Sequence, residues 1–228
     1  MNQEGTIFIF IGPPGSGKGS LASLCVKRFG WLQVSTGNLC RKHIAEQTKI
    51  GKEIDLIIKS GRLINDDLIT CMVSEWLTEN ATRTSGIIFD GYPRTIGQAK
   101  DFSAILKSFF PNVRERVVIF SVSDDVVIDR LSHRIVCQNK ECQTVYSLSM
   151  VSLDAVLQQK AFCRECGAIL GRRVDDEEES VRKRLVVYHK HEQELINFYR
   201  DNKTDLVELD ATKSIDDVFS SFLQSIDE

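Results

Sequence analysis

The sequence predicts an α/β fold built on a parallel sheet. Three observations carry this. Apolar runs alternate with helical patterns along the chain, an order that favours parallel pairing. The first run, Ile7-Phe8-Ile9-Phe10-Ile11, is apolar on both faces, as a strand inside a parallel sheet must be. Between that run and the first helical pattern lies Gly12-Pro13-Pro14-Gly15-Ser16-Gly17-Lys18-Gly19-Ser20. Strand, glycine-rich loop and helix in that order is the setting of a phosphate-binding loop.

The loop has a clear chemistry. Its glycines let backbone N–H groups turn inward around a phosphate, and the helix N-terminus adds favourable partial charge. Lys18 can then reach the outer phosphates of a nucleoside triphosphate. Many such loops place a hydroxyl directly after the lysine to hold Mg2+. This chain has Gly19 there and Ser20 one residue later, so an Mg2+ ion is expected to be held less directly. The bland alternative is a tight turn with an incidental lysine. Four glycines and a lysine in this order outweigh it.

The bulk numbers bound the rest. A chain of 228 residues can bury one sizeable core and still carry insertions. Composition is 42% hydrophobic and 27% charged, which is ordinary for a soluble globular protein. The net charge of −3 gives no support to broad nucleic-acid or membrane-surface binding. No apolar stretch approaches a transmembrane span. Met1-Asn2-Gln3-Glu4-Gly5 lacks the features of a signal peptide, so a cytoplasmic location is the expectation.

Taken in order, strand one covers about Thr6 to Ile11 and helix one about Gly19 to Phe29, with Gly30 placed to end it. A short extended piece, Trp31 to Val34, leads to Ser35-Thr36-Gly37. Thr36 is the expected N-cap of a helix through Thr48, on which Arg41 lies. A second helix covers Gly51 to Lys59, and Asn65 or Asp66 caps a longer one through Glu79. Residues 35–64 read as a helical insertion outside the central sheet.

Gly86-Ile87-Ile88-Phe89-Asp90 is another strand, followed by Gly91-Tyr92-Pro93-Arg94-Thr95 and a helix to Lys107. The carboxyl ends of strands in an open parallel sheet face the ligand crevice, which places Asp90 and Arg94 beside the glycine loop. Arg116 to Val122 is a further strand, and Asp124 is the expected cap of a helix carrying Arg130 and Arg134. The acidic run Asp175 to Glu179 precedes a long helix through Arg200, where it complements the helix dipole. Leu206 to Leu209 is the last strand. Ser214 caps the last helix, whose Ile215, Val218, Phe219 and Phe222 recur at helical spacing.

Seven cysteines divide into two groups. Cys25, Cys40 and Cys71 sit in helical patterns and read as small packing residues. The others form Cys137-x4-Cys142-x20-Cys163-x2-Cys166-Gly167 within a composition break from Cys137 to Arg173. Two cysteine pairs at this separation match a structural zinc site with four thiolate ligands and no open position. A segment of about forty residues has a poor core of its own and gains from such a staple. The alternative is four unliganded thiols in a flexible loop. His43, His133, His189 and His191 form no triad or ligand pair and read as surface or packing residues.

Assembled, these residues resemble the adenylate kinases, in their long form with a zinc-binding lid. The resemblance covers essentially the whole chain. It rests on Gly12 to Ser20, Ser35-Thr36-Gly37, Asp90 to Thr95 with Gln98, Asp129 to Arg134, and Arg173 through Val181-Arg182-Lys183-Arg184-Leu185. It implies a P-loop NTPase-type parallel five-stranded sheet flanked by helices. A core of 1–34, 65–132 and 177–228 would carry an AMP-binding insertion at 35–64 and a zinc-ribbon-like lid at 133–176. The implied activity is ATP + AMP = 2 ADP with Mg2+, in a monomer without nucleic-acid or membrane partners.

The resemblance also implies roles. Gly15, Ser16, Gly17, Lys18, Gly19 and Ser20 would hold ATP phosphates, and Arg130 would pack on the ATP adenine. Val145, Tyr146 and the backbone near Lys213 would also contact ATP. Thr36, Arg41, the backbone of Arg62, Leu63 and Ile64, Gly91, Arg94 and Gln98 would form the AMP site, with Gln98 reading the adenine edge. Arg134, Arg173 and Arg184 would close on the phosphates, Arg173 and Arg184 also facing AMP. Asp90 would position Mg2+ through its water shell. Cys137, Cys142, Cys163 and Cys166 would hold zinc. Three departures stand out: Asn38 where aspartate is usual, His133-Arg134-Ile135 in place of Gly-Arg-Arg, and Cys142 two residues late. Two alternatives stay open: a kinase of CMP, UMP or GMP, and a nucleotide-gated binding module whose ribbon contacts RNA or protein.

Overall fold

The structure is a computed structural model that describes residues 5–59, 64–80, 84–139 and 141–226. The central strands are β1 (Thr6–Ile11), β2 (Leu32–Ser35), β3 (Gly86–Asp90), β4 (Arg114–Ser121) and, last in the chain, β8 (Asp205–Asp210). They form one sheet in the order β2-β3-β1-β4-β8, with every neighbouring pair parallel. The five-stranded parallel sheet expected from the sequence is therefore present.

Side chains of a strand alternate between faces, and β1 sorts its own accordingly. Ile7, Ile9 and Ile11 join Phe89 and Val117 in one core layer. That layer packs against α4 (Asp66–Asn80), α5 (Ile96–Phe109) and α8 (Glu178–Asp201). Phe8 and Phe10 join Phe120 in the opposite layer, against α1 (Lys18–Phe29) and α9 (Ile215–Ile226). Aromatic rings thicken that second layer. Phe8 stacks on Trp31 with centroids 4.6 Å apart and meets Phe222 edge-on. Both faces being covered, the strands need no polar face.

Outside the sheet lie α2 (Thr36–Ala45) and α3 (Lys49–Lys59), with a small apolar cluster of Cys40, Ile54 and Met72. Ser35, counted with this insertion from sequence, is the last residue of β2 and pairs with Asp90. After α6 (Asp124–Ser132) comes a second sheet. It consists of β5 (Arg134–Cys137), β6 (Val145–Ser147) and β7 (Leu170–Gly171), antiparallel in the order β6-β5-β7, with α7 (Leu153–Leu157) beside it. Its own core holds Ile135, Tyr146, Val156, Ala161 and Leu170. A 3-10 turn at Val174–Asp176 leads back to α8.

Several local expectations are corrected. Thr36 is not a cap: it opens α2, Ser35 holds the N-cap position, and the Thr36 hydroxyl donates instead to the Gly91 carbonyl. Asp124 is likewise the first residue of α6 behind Ser123, and its carboxylate pairs with His189. Between the two residues offered for α4, Asn65 is the cap, accepting from the Leu68 N–H, which frees the Asp66 carboxylate for a different partner. Cys71 is exposed rather than packed, because it lies on the solvent side of α4.

Candidate active site

The site forms where β1 and β3 end. Gly15 has φ +82°, and a Cβ there would come within 2.8 Å of Leu131, so the loop can approach α6 only with glycine. Lys18 is turned into the loop, donating to the carbonyls of Gly12 and Pro13 at 2.7 Å each. Ser16 is buried beneath it, and its hydroxyl lies 3.2 Å from the Lys18 ammonium. Asp90, at the end of β3, lies over α1: its Oδ2 is 3.4 Å from where a Cβ of Gly19 would sit. A glycine after the lysine thus leaves the carboxylate close to the helix N-terminus.

Charge is concentrated here. Burial pushes the Lys18 ammonium down to about 8, with Asp90 pulling upward and Arg94, Arg184 and Arg134 pushing further down. Burial pushes Arg173 down to about 10, helped by Arg41 and Arg134 and opposed by Asp175 and Asp176. Burial also lowers Arg184, again against Asp175 and beside Arg134 and Arg94. Arg94, Arg134 and Arg184 thus act on Lys18 beside Asp90, and Arg134 in turn faces Arg41 and Arg173, which links arginines from five segments. Sequence alone could not show that convergence.

The Arg94 side is knotted by one backbone carbonyl. Gly91 has φ +78°, and a Cβ there would come 2.9 Å from Arg94 Nη2. Its carbonyl accepts from Thr36 Oγ1 at 2.9 Å and from Arg94 Nε at 2.7 Å. Gln98, on α5, is 4% exposed. Its Oε1 accepts from the Arg94 N–H at 2.7 Å, and its Nε2 donates to Asp66 Oδ1 at 2.8 Å. Arg41 donates through Nη2 to Asn38 Oδ1 and through Nε to Gln143 Oε1 at 3.1 Å. The second of these contacts joins the helical insertion to the small antiparallel sheet. Lys27 of α1 meets Glu165 of the same sheet region at 3.3 Å.

The acidic run does more than complement a helix. Only Glu178 and Glu179 lie in the first turn of α8. Asp176 forms a two-pronged pair with Arg134, with Nε 2.7 Å from Oδ2, and Asp175 pairs with Arg184 at 3.4 Å. Burial pushes the Asp175 carboxyl up, but Arg184, Arg41, Arg134 and Arg173 outweigh it and hold it below its ordinary range. Sequence reasoning missed both aspartates. The available signal was their position ahead of the helix rather than within its first turn.

Other expected site residues lie further out. Arg130 donates to the carbonyls of Ala211 at 2.7 Å and Thr212 at 3.3 Å, which ties α6 to the turn carrying Lys213. Val145 is exposed on β6. Tyr146 is buried in the small sheet's core, its hydroxyl accepting from the Arg164 N–H at 2.9 Å, so that side chain does not join the arginine cluster. Ile64 packs on the apolar cluster of the insertion. Arg62 and Leu63 lie outside the described residues.

The sulfur atoms of Cys137, Cys142, Cys163 and Cys166 all lie within 4.8 Å of one another. Cys137 and Cys166 are 3.4 Å apart, Cys142 and Cys163 3.7 Å. A tetrahedral zinc with Zn–S of about 2.3 Å requires sulfurs about 3.8 Å apart, so this donor set fits that ion. The wide first pair is accommodated by a turn. Gln143 donates to the Asn139 carbonyl at 3.0 Å and takes φ +44°, which brings Cys142 back towards Cys163. Cys137 and Cys163 are buried in the small sheet's core with Cys142 packed against them, and Cys166 is exposed at its edge, so the thiols are not in a flexible loop.

A glycine loop after β1, a carboxylate ending β3 and converging arginines define a P-loop phosphotransferase. The chain matches the family model described as adenylate kinase over residues 10–204. It is 39% identical to the adenylate kinase of Treponema denticola over 215 residues, 94% of this chain and 96% of that one. It is 36% identical to that of Thermosipho melanesiensis over 218 residues, 96% and 98% of the two chains. With the protein from Archaeoglobus fulgidus, also named adenylate kinase, identity is 35% over 211 residues, 92% and 93%. The chain belongs to the adenylate kinase family.

Proposed function

We propose that this chain interconverts Mg-ATP and AMP with two molecules of ADP. The observation that carries the reading is the cluster in which Arg94, Arg134 and Arg184 act on the buried Lys18 beside Asp90, with Arg173 joined to it through Arg134. Phosphoryl transfer spreads negative charge over the migrating group and its in-line neighbours, so catalysis is largely positioning and electrostatics. The attacking atom is an AMP phosphate oxygen, already anionic. No general base is needed, which agrees with the four histidines standing apart.

Gly15 to Ser20 hold the ATP phosphates through backbone N–H groups, with Lys18 on the outer ones. Arg130, Val145, Tyr146 and Lys213 flank the ATP base, Tyr146 through its backbone. Thr36, Arg41, Gly91, Arg94 and Gln98 form the AMP site, with Gln98 reading the adenine edge, and the resemblance assigns the backbone of 62–64 to the same site. Asp90 would hold Mg2+ through water, and the metal would supply charge neutralisation on the phosphates. Cys137, Cys142, Cys163 and Cys166 would hold a structural zinc. Residues 35–64 and 133–176 act as closing parts around the core of 1–34, 65–132 and 177–228. Closure excludes water, so that ATP is transferred and not hydrolysed. The Arg41–Gln143 contact supports this, since it joins the two closing parts directly.

A monomer in the cytoplasm, without nucleic-acid or membrane partners, is proposed on the family resemblance. Among the described residues no helix is long and apolar enough to cross a membrane. A coupled assay of ADP formation from Mg-ATP with AMP, CMP, UMP or GMP tests the whole reading. Transfer to AMP is expected. Preference for another monophosphate would keep the mechanism and change the substrate, and no transfer at all would point to a binding module.

A further inference from the structure

Asp66 was expected to do no more than cap a helix, yet its carboxylate crosses from α4 to α5. Oδ1 accepts from Gln98 Nε2 at 2.8 Å, and Oδ2 accepts from Thr95 Oγ1 at 2.6 Å. The Thr95 hydroxyl in turn accepts from the Gln98 N–H at 3.1 Å and caps α5. Asp66 is thereby held from one side while it holds Gln98 from the other.

A carboxamide can be turned over by 180° with almost no change in shape, and the turn exchanges its donor for its acceptor. Two partners decide which way Gln98 lies. An ionised carboxylate only accepts, so Asp66 must face the NH2 group. A backbone N–H only donates, so Arg94 must face Oε1. These contacts use one N–H and one lone pair of the amide. The second N–H and the second lone pair complete its hydrogen-bonding capacity.

That remaining pair suits one kind of purine edge. Adenine offers an acceptor at ring N1 beside a donor at its 6-amino group, which match an N–H and an oxygen in this orientation. A 6-oxopurine, as in IMP or GMP, offers a donor at N1 beside an acceptor at O6. It would require the amide turned over, with NH2 against the Arg94 N–H and oxygen against a carboxylate.

We propose that Asp66 is a positioning residue that fixes the Gln98 amide in the orientation selecting a 6-amino purine over a 6-oxo purine. The inference rests on the assignment of the AMP site above. A site built around one hydrogen-bond polarity discriminates strongly, because the wrong base leaves buried groups unpaired.

The test compares kcat/KM for AMP and for IMP, which differ only at this edge, in the unaltered enzyme, Asp66→Asn and Asp66→Ala. The asparagine is isosteric and keeps the fold, which circular dichroism checks. Its own amide can turn and donate to Gln98 Oε1, which removes the carboxylate's share of the bias and leaves only the Arg94 N–H to hold the amide. The unaltered enzyme is expected to favour AMP by at least about a hundredfold. Both variants are expected to narrow that ratio by about tenfold, the scale of one buried hydrogen bond. KM for AMP should rise, while KM for Mg-ATP stays within about twofold. A purely structural role would weaken both acceptors together, so an unchanged AMP-to-IMP ratio in Asp66→Asn would overturn the proposal. Equal use of AMP and IMP by the unaltered enzyme would also overturn it. Failure to transfer to AMP at all would overturn the AMP assignment beneath it, and the two failures are distinguished by the AMP rate alone.

Discussion

Arg134 at the start of β5 and Asp176 at the end of the 3-10 turn close the base of the small sheet with a two-pronged ion pair. The side chains are 13% and 5% exposed. One residue stands at the way into the 133–176 segment and the other at the way out, so the pair joins both connecting strands of the chain.

Removing one member of a buried pair leaves the other charge uncompensated, at about 3–5 kcal/mol. Asp176→Ala is therefore expected to lower unfolding free energy by about 3 kcal/mol. Added nucleotide should restore part of the loss, because phosphate oxygens can take over Arg134. Urea unfolding with and without ATP and AMP measures both effects, and an unshifted midpoint would deny the pair its role.

Arg94 is exposed, its Nε is tied to the Gly91 carbonyl at 2.7 Å, and its charge acts on the Lys18 ammonium. Arg94→Ala is expected to lower kcat by on the order of 100-fold or more, because it removes charge that stabilises the transition state. Steady-state kinetics decides this; turnover like that of the unaltered enzyme would remove Arg94 from the catalytic set.

Lys18 gives the pH dependence. Its ammonium is pushed down to about 8 by burial, so the unliganded enzyme loses that charge as pH rises through about 8. kcat/KM for Mg-ATP should fall above that pH. Bound phosphates favour the charged lysine, so the corresponding limb of kcat should lie at higher pH. The folded value lies below the ordinary 10.5, so the unfolded chain holds a proton that the folded one lacks between about 8 and 10.5. Lys18 accordingly makes the unliganded protein gain stability as pH rises through that window. Parallel pH profiles of kcat/KM and kcat check the separation, and superimposable limbs would contradict it.

The thiol cluster makes a separate prediction. Protein purified without chelator or oxidant should carry about one zinc per chain, measured by elemental analysis. Cys163→Ser should lose the metal and melt several degrees lower, because Cys137 and Cys163 are themselves buried members of the small sheet's core. Metal-free protein with the melting curve of the metal-loaded form would rule out a structural ion.

The fold was legible because its signals are local. β1 is apolar on both faces, Gly30 ends α1, and the glycine loop sits between strand and helix, so nearest-neighbour physics suffices. The arginines were legible as candidates, through motif and resemblance. Caps were less so. Thr36 and Asp124 are both good capping residues by chemistry, but each found a better partner from a distant element, in Gly91 and His189.

What the sequence determined by itself was the parallel α/β order, the glycine-rich loop between strand and helix, and the four-cysteine pattern, because strand burial, glycine freedom and residue spacing act over short stretches of chain. Tertiary structure decided the partners of charge. Asp176 pairs with Arg134 across 42 residues, Gln98 with Asp66 across 32, and Gln143 with Arg41 across 102. A carboxylate carries no mark in sequence of which cation it will meet. Coulomb energy depends on distance and burial, and folding alone sets both.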